Sequence, residues 1–141
     1  MVRAEVTSQP IGAADLEAGV VAAAEGHAGA VVSFTGAVRD HDGDRGVIAL
    51  HYRAHPTAGE VVADLVAGIA AQVDGVRAIA VAHRVGDLVV GDVAFAVSVA
   101  ADHRAAGFAT CARVVDEVKA ALPVWKHQFF ADGTDEWVGT A

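Results

Sequence analysis

Pro123 divides the last part of this 141-residue chain into two conformations. Proline has no N–H to donate, and its ring collides with the carbonyl four residues back, so a helix running into it must stop. The residues before it, Arg104 to Leu122, predict a helix, whereas "VWKHQFF" and then "DEWVG" predict extended chain. At about 100° per residue, Phe108, Cys111, Val115, Val118 and Leu122 share one face of that helix, and Arg113 and Glu117 point away. Lys119 falls about 40° from Val115, inside the apolar arc. A lysine there has two readings. Either it snorkels from the last turn, where its charge suits the helix dipole, or it lines a partly dry pocket that makes its amine a usable base or nucleophile. Lys126 belongs to the extended segment beyond the proline, so the two amines can converge from different directions. They are the only lysines in a chain with eight arginines.

Upstream, "VRAEV" at 2–6 predicts a short strand, and the alanine-rich stretch after Pro10 predicts a helix over 13–25. The run "GAVVSFTGAVR" at 29–39 is rich in β-formers and too short for a core helix, so it reads as a buried strand. It ends in the loop "DHDGDRG", after which "VIALHYRAH" reads as the returning strand of a long hairpin. Pro56 sits where a second helix can start, and Val61, Leu65, Ile69 and Val73 give that helix one apolar face. "VRAIAVAHRVG" and "DVAFAVSVAA" predict two more strands, joined through the turn region "DLVVGD". Strand, helix, two strands, helix, two strands, helix and short strands make an α+β order, with a mostly antiparallel sheet, about three helices and one domain over 1–141.

Composition narrows the function. A net charge of −8 opposes a nucleic-acid backbone, so a small molecule or another protein is the expected partner. Cations nevertheless gather at Arg39, Arg45 and Arg53, and again at Arg104, Arg113, Lys119 and Lys126, which suits an anionic ligand. No apolar run reaches the roughly 18–20 residues that cross a bilayer, and "MVRAEVTSQP" lacks a secretory apolar stretch, so a cytoplasmic protein without a membrane partner is expected. Cys111 is the single cysteine; it forms no internal disulfide, and any sulfur chemistry needs an outside donor.

Other constellations carry little. "DHDGD" at 40–44 lacks the glycine position and the twelfth-position glutamate of a calcium loop, and reads as a solvated turn. His51 and His55 lie about 13 Å apart in a strand, so no metal is assigned. Ser98 has no glycine elbow. Cys111 reads as a small buried hydrophobe, and Trp125, Phe129 and Phe130 as core aromatics or pocket walls.

The run "VKAALPVWKHQFF", together with "ADHRAAGF", "FTGAVRD" and "HRVGDL", resembles the large, catalytic subunit of molybdopterin synthase. The similarity spans roughly Phe34 to Val138, with the motifs in the family's order. It implies an α/β hammerhead-like domain and a sulfurtransferase that needs no cofactor. Such an enzyme converts cyclic pyranopterin monophosphate to the molybdopterin dithiolene, taking sulfur from a small ubiquitin-like carrier with a C-terminal Gly-Gly thiocarboxylate. It also implies a homodimer of large subunits with one small subunit at each end, a heterotetramer. By resemblance, Lys119 and Lys126 carry catalysis, and Ala37, Val38, Arg39, His103, Arg104, His127 and Gln128 join them in the substrate site. Lys119 is then the candidate for proton transfer or a transient covalent link, and Lys126 for stabilising negative charge. Arg104 and Lys119 are about 22 Å apart along a straight helix, so the site is expected to combine two chains. This chain departs from the family where it has His127 and Gln128 after the Trp-Lys pair, Arg53 in "LHYRAHPTAG", and a C-terminal "WVGTA" without a basic residue. The alternative is a noncatalytic relative that only docks the carrier.

Overall fold

A computed structural model describes residues 3–139, so Val2 of the first predicted strand and Thr140 and Ala141 of "WVGTA" lie outside it. In chain order the elements are β1 (Arg3–Thr7), α1 (Ala13–Ala24), β2 (Ala30–Ala37), β3 (His41–Asp42), β4 (Arg45–Ala54) and α2 (Ala58–Gln72). They continue with β5 (Val76–Arg84), β6 (Gly86–Val89), β7 (Val93–Ala101), α3 (Arg104–Ala121), β8 (Val124–Phe130) and β9 (Asp135–Val138). The α+β reading holds, with three helices among the described residues and every strand pair antiparallel except β1 with β5.

One sheet has the order β1-β5-β7-β2. Its two central strands are apolar without alternation because both faces are covered. On one face Ala78, Ala80, Ala82, Ala96 and Ala100 meet Leu16, Val20 and Ala24 of α1. On the other, Ile79, Val81, Val97 and Val99 pack with Val62, Val66 and Ile69 of α2 and Val114 and Val118 of α3. Small residues against α1 and branched ones against α2 and α3 give the sheet a thin side and a thick side. Each fully buried Val, Leu or Ile contributes about 1.5–3 kcal/mol. Ser98, fully buried on β7, shares a 2.7 Å hydrogen bond with Ser33, its cross-strand partner on β2. That bond satisfies the hydroxyl inside the core and leaves it no nucleophilic role.

The second sheet runs β3-β4-β8-β9, with β6 also pairing to β4. Here the long hairpin expected between 29–39 and 47–55 is corrected. β2 pairs with β7, whereas β4 pairs with β6 and β8. The tight turn at Gly43, where φ is +62°, returns only the two residues of β3. β2 is half-buried rather than buried, as an edge strand with α3 against it. The "DLVVGD" link is not a bare turn but contributes β6, so it ties the two sheets together.

The helices begin and end close to expectation, but their faces are rotated. In α2 the buried stripe is Ala58, Val62, Val66 and Ile69, with Val61 and Leu65 only half-buried beside it. In α3 the stripe is Gly107, Thr110, Cys111, Val114 and Val118, while Phe108 is 61% exposed. Gly107 sets the close approach of α3 to β2: a Cβ there would meet Val32 Cγ2 at 3.0 Å. Trp125 and Phe129 are also exposed, and of the three aromatics near Lys126 only Phe130 enters the core.

The thin side of the first sheet has no room to spare. Ala80→Leu should lower stability by about 1–3 kcal/mol through overpacking against α1, measured as a lower urea midpoint. An unchanged midpoint would contradict the tight α1 contact.

Candidate functional site

The end of α3, the chain after β2, the β3–β4 hairpin and β8 meet around a cavity of about 220 Å³. Strand alternation decides which side chains enter it. Tyr52 lies opposite Lys126 and Leu50 opposite Gln128 in the β4–β8 ladder, and all four face the cavity. Ala37, Val38 and Arg39 reach it where β2 ends, held by Val38 N–H donating to Asp92 O at 2.9 Å and Gly91 N–H to Val38 O at 2.8 Å. Leu122 N–H donates to Val118 O at 2.9 Å, closing α3 before Pro123, and β8 starts one residue later. The helix stop therefore delivers Lys119 and Lys126 to the same cavity.

The two lysines are not equivalent. Lys119 is exposed at the rim, so the apolar arc of the wheel holds its stem and not its head. Lys126 is half-buried, and burial lowers its pKa below the usual lysine value. Asp42 opposes that shift, and the charges of Lys119 and Arg39 add to it. Asp42, on β3, accepts a 3.0 Å hydrogen bond from Gln128 Nε2, which with the nearby cations holds its carboxyl below the ordinary range. Gln128 is 3% exposed, so this bond also satisfies a buried amide. Burial raises the phenol of Tyr52.

Six of the nine residues expected in the site line this cavity: Ala37, Val38, Arg39, Lys119, Lys126 and Gln128. Three do not. His127 points to the opposite face of β8, where it stacks on Trp137 at 4.3 Å and bonds Asp135 at 2.6 Å. His103 and Arg104 are exposed at the far end of α3, sixteen and fifteen residues from Lys119. Sequence reasoning missed Asp42 and Tyr52. Asp42 falls within the stretch that the sequence presents as a solvated loop, although its place three residues before β4 is the available signal; Tyr52 is the chain's single tyrosine, two residues from Leu50 on β4.

His51 bonds Asp87 and His55 bonds Thr57, so these histidines do not converge; no metal-binding group of three acidic, histidine or cysteine side chains occurs among the described residues. Cys111 is buried, and burial raises its thiol pKa, which keeps it inert.

Residues 6–121 match the family described as MoaE protein. The chain belongs to that family. Among its relatives, a molybdopterin synthase catalytic subunit 1 from Mycobacterium tuberculosis is 35% identical over 95% of this chain and 88% of the relative. A molybdopterin synthase catalytic subunit from Bacillus subtilis is 30% identical over 99% and 86%. The fold is similar to the crystal structure of molybdopterin synthase from Staphylococcus aureus, with a TM-score of 0.87, 26% identity, and 99% and 98% of the two chains covered. The family match closes at Ala121, just before β8, so Lys126 and Gln128 rest on the cavity geometry.

Removing the carboxylate that opposes the Lys126 shift should push the amine further down. In Asp42→Ala the Lys126 titration midpoint, followed through lysine ¹³Cε chemical shifts, should fall relative to the native protein. An unchanged midpoint would show that Asp42 does not act on this amine.

Proposed function

We propose that this MoaE-family chain is the catalytic subunit of a molybdopterin synthase, a sulfurtransferase of molybdenum cofactor biosynthesis. Its substrates are cyclic pyranopterin monophosphate and the C-terminal thiocarboxylate of a small carrier protein. The observation that carries this reading is the meeting of Lys119, Lys126 and Arg39 in one partly enclosed cavity of an acidic protein.

Both reactants are anions, and they repel each other as they approach bonding distance. Positive groups in a partly dry cavity offset that repulsion more strongly than the same groups in water. Arg39 and Lys119 at the rim suit the phosphate and the carrier terminus. Each carrier exchanges its one sulfur for an oxygen, taken from water or from the substrate carbon that receives the sulfur, and ends as a carboxylate, so two carriers serve one dithiolene.

Half-burial and its lowered pKa favour Lys126 over Lys119 as the amine that takes a proton or forms a transient link, the reverse of the roles read from the helical wheel. Asp42 and Gln128 fix its strand beside it.

His103 and Arg104 join the site from a second copy of the chain in this reading, because the length of α3 separates them from Lys119 of their own chain. A homodimer with a carrier subunit at each end satisfies that separation. Relatives that are molybdopterin synthase catalytic subunits support the activity, and a solved complex of subunits 1 and 2 of the molybdopterin-converting factor from Helicobacter pylori shares the fold at 18% identity. The reading carries a cytoplasmic location, which a single free cysteine suits.

The decisive assay mixes the protein with thiocarboxylated carrier and the pterin precursor and follows the dithiolene product by mass spectrometry. Product is expected; carrier binding without product would instead support a docking protein. Lys126→Arg should lose at least about 100-fold in rate, because a guanidinium stays protonated. With the native lysine, the rate should rise with pH through a midpoint below the ordinary lysine value of 10.5, since the neutral amine is the active form. Mixing inactive Lys126→Ala and Arg104→Ala chains should restore part of the activity through hybrid dimers, and no rescue would argue for a site built from one chain.

A further inference from the structure

A smaller space of about 70 Å³ adjoins the cavity and shares Ala37, Tyr52, Ala94 and Lys119 with it. Its remaining wall holds a buried titratable group that the transfer scheme leaves unused. His83, on β5, is 2% exposed. Tyr52 meets its ring edge-on at 5.0 Å, and Phe95 lies tilted at 5.6 Å. Burial lowers the imidazole to about 4, with the Lys119 charge adding to the effect, so the ring is neutral in the neutral pH range.

The tautomer follows from its partner. Nδ1 lies 2.9 Å from the carbonyl oxygen of Arg84. A carbonyl only accepts, so Nδ1 carries the proton and Nε2 is left with a bare lone pair. No described residue hydrogen-bonds Nε2. The one sealed side-chain nitrogen or oxygen without a partner among the described residues is Arg84 Nε, so Nε2 is not sealed, and the ring lines the small space that Lys119 also lines.

Lys119 needs an anchor. It sits in the last turn of α3 on a flexible four-carbon stem, at the rim, and a free ammonium there extends into water. Lys126 and Arg39, which line the same cavity, carry like charge and favour its turning away into water. A carboxylate anchor would cancel its charge, whereas a neutral imidazole accepts one of its three N–H bonds and leaves the positive charge available to an anion.

We propose that His83 is a positioning residue: the two side chains line one small space without a bond between them in the structure, and when the Lys119 stem turns inward Nε2 accepts a hydrogen bond from its ammonium and holds that group between the small space and the main cavity. The proposal rests on the sulfur-transfer reading for its consequence, but one arm of its test is independent of activity. Because the chain has only two lysines, the ¹³Cε-lysine spectrum of the full protein holds two side-chain signals.

His83→Phe keeps a ring against Tyr52 and Phe95 while removing the acceptor. It should give Lys119 Cε the fast relaxation of a free surface lysine and leave Lys126 unchanged. His83→Gln, which returns an acceptor at similar reach, should restore the slower relaxation. His83→Asn can donate to Arg84 O but is too short to reach the small space. It should behave like His83→Phe, and it serves if the phenylalanine variant does not fold.

In the product assay His83→Phe should lower kcat about 3- to 10-fold, the scale of one hydrogen bond, with little change in KM and partial recovery in His83→Gln. Lys119 relaxation that is the same in native, His83→Phe and His83→Asn proteins would overturn the proposal. An inactive native protein would overturn the transfer reading alone, and the relaxation comparison would still decide the role of His83.

Discussion

The register between β4 and β8 is the constraint on which the site depends. With Tyr52 opposite Lys126 and Leu50 opposite Gln128, the cavity receives two polar groups from β8 and a phenol and an aliphatic wall from β4. A slip of one residue would exchange Lys126 and Gln128 for His127 and Phe129 and turn the amine out to the aromatic face. Several contacts hold this register. His55 N–H donates to Pro123 O at 2.9 Å where the ladder begins, Ala131 N–H donates to Gly46 O at 2.8 Å at its other end, and Arg45 lies over the Phe130 ring at 3.5 Å. Pro123 is thus more than a helix stop, because its carbonyl helps to align the strand that follows.

Within that frame the charges form a graded set. Lys126 is partly dry, Lys119 and Arg39 are at the rim, and Asp42 is tied to the strand through Gln128. One carboxylate against three cations leaves the cavity positive without leaving Lys126 uncompensated. The same carboxylate limits how far burial can depress the amine, so the hairpin turn at Gly43 bears on the chemistry by placing Asp42.

Much of the fold is legible in the sequence because it is written locally. The extents of the three helices follow from proline, glycine and apolar spacing, and β5 and β7 from runs of Val, Ala, Ile and Phe. Strand partners are not local. Nothing in "GAVVSFTGAVR" says that it pairs with residues 93–101 instead of the nearer 47–55; that choice belongs to the whole sheet. The helical wheel gave a face to Phe108 and Lys119 but not the width of what packs there, and both proved exposed. For the site, the cluster of Arg39, Lys119, Lys126 and Gln128 was carried by family motifs. Asp42, Tyr52 and His83 needed the three-dimensional arrangement, since each comes from a different strand.

The concentration of positive charge in one recess of a chain with a net charge of −8 also shapes how an anion arrives. Beyond a Debye length of about 8 Å at physiological salt, an anion meets mostly screened repulsion from the whole surface; inside it, the nearby ammonium and guanidinium groups dominate. Added salt therefore acts in opposite directions on the two stages, easing the distant approach while weakening capture at the mouth. Encounter should be fastest at an intermediate ionic strength, unlike the steady decline with salt found where a uniformly basic surface draws an anion in.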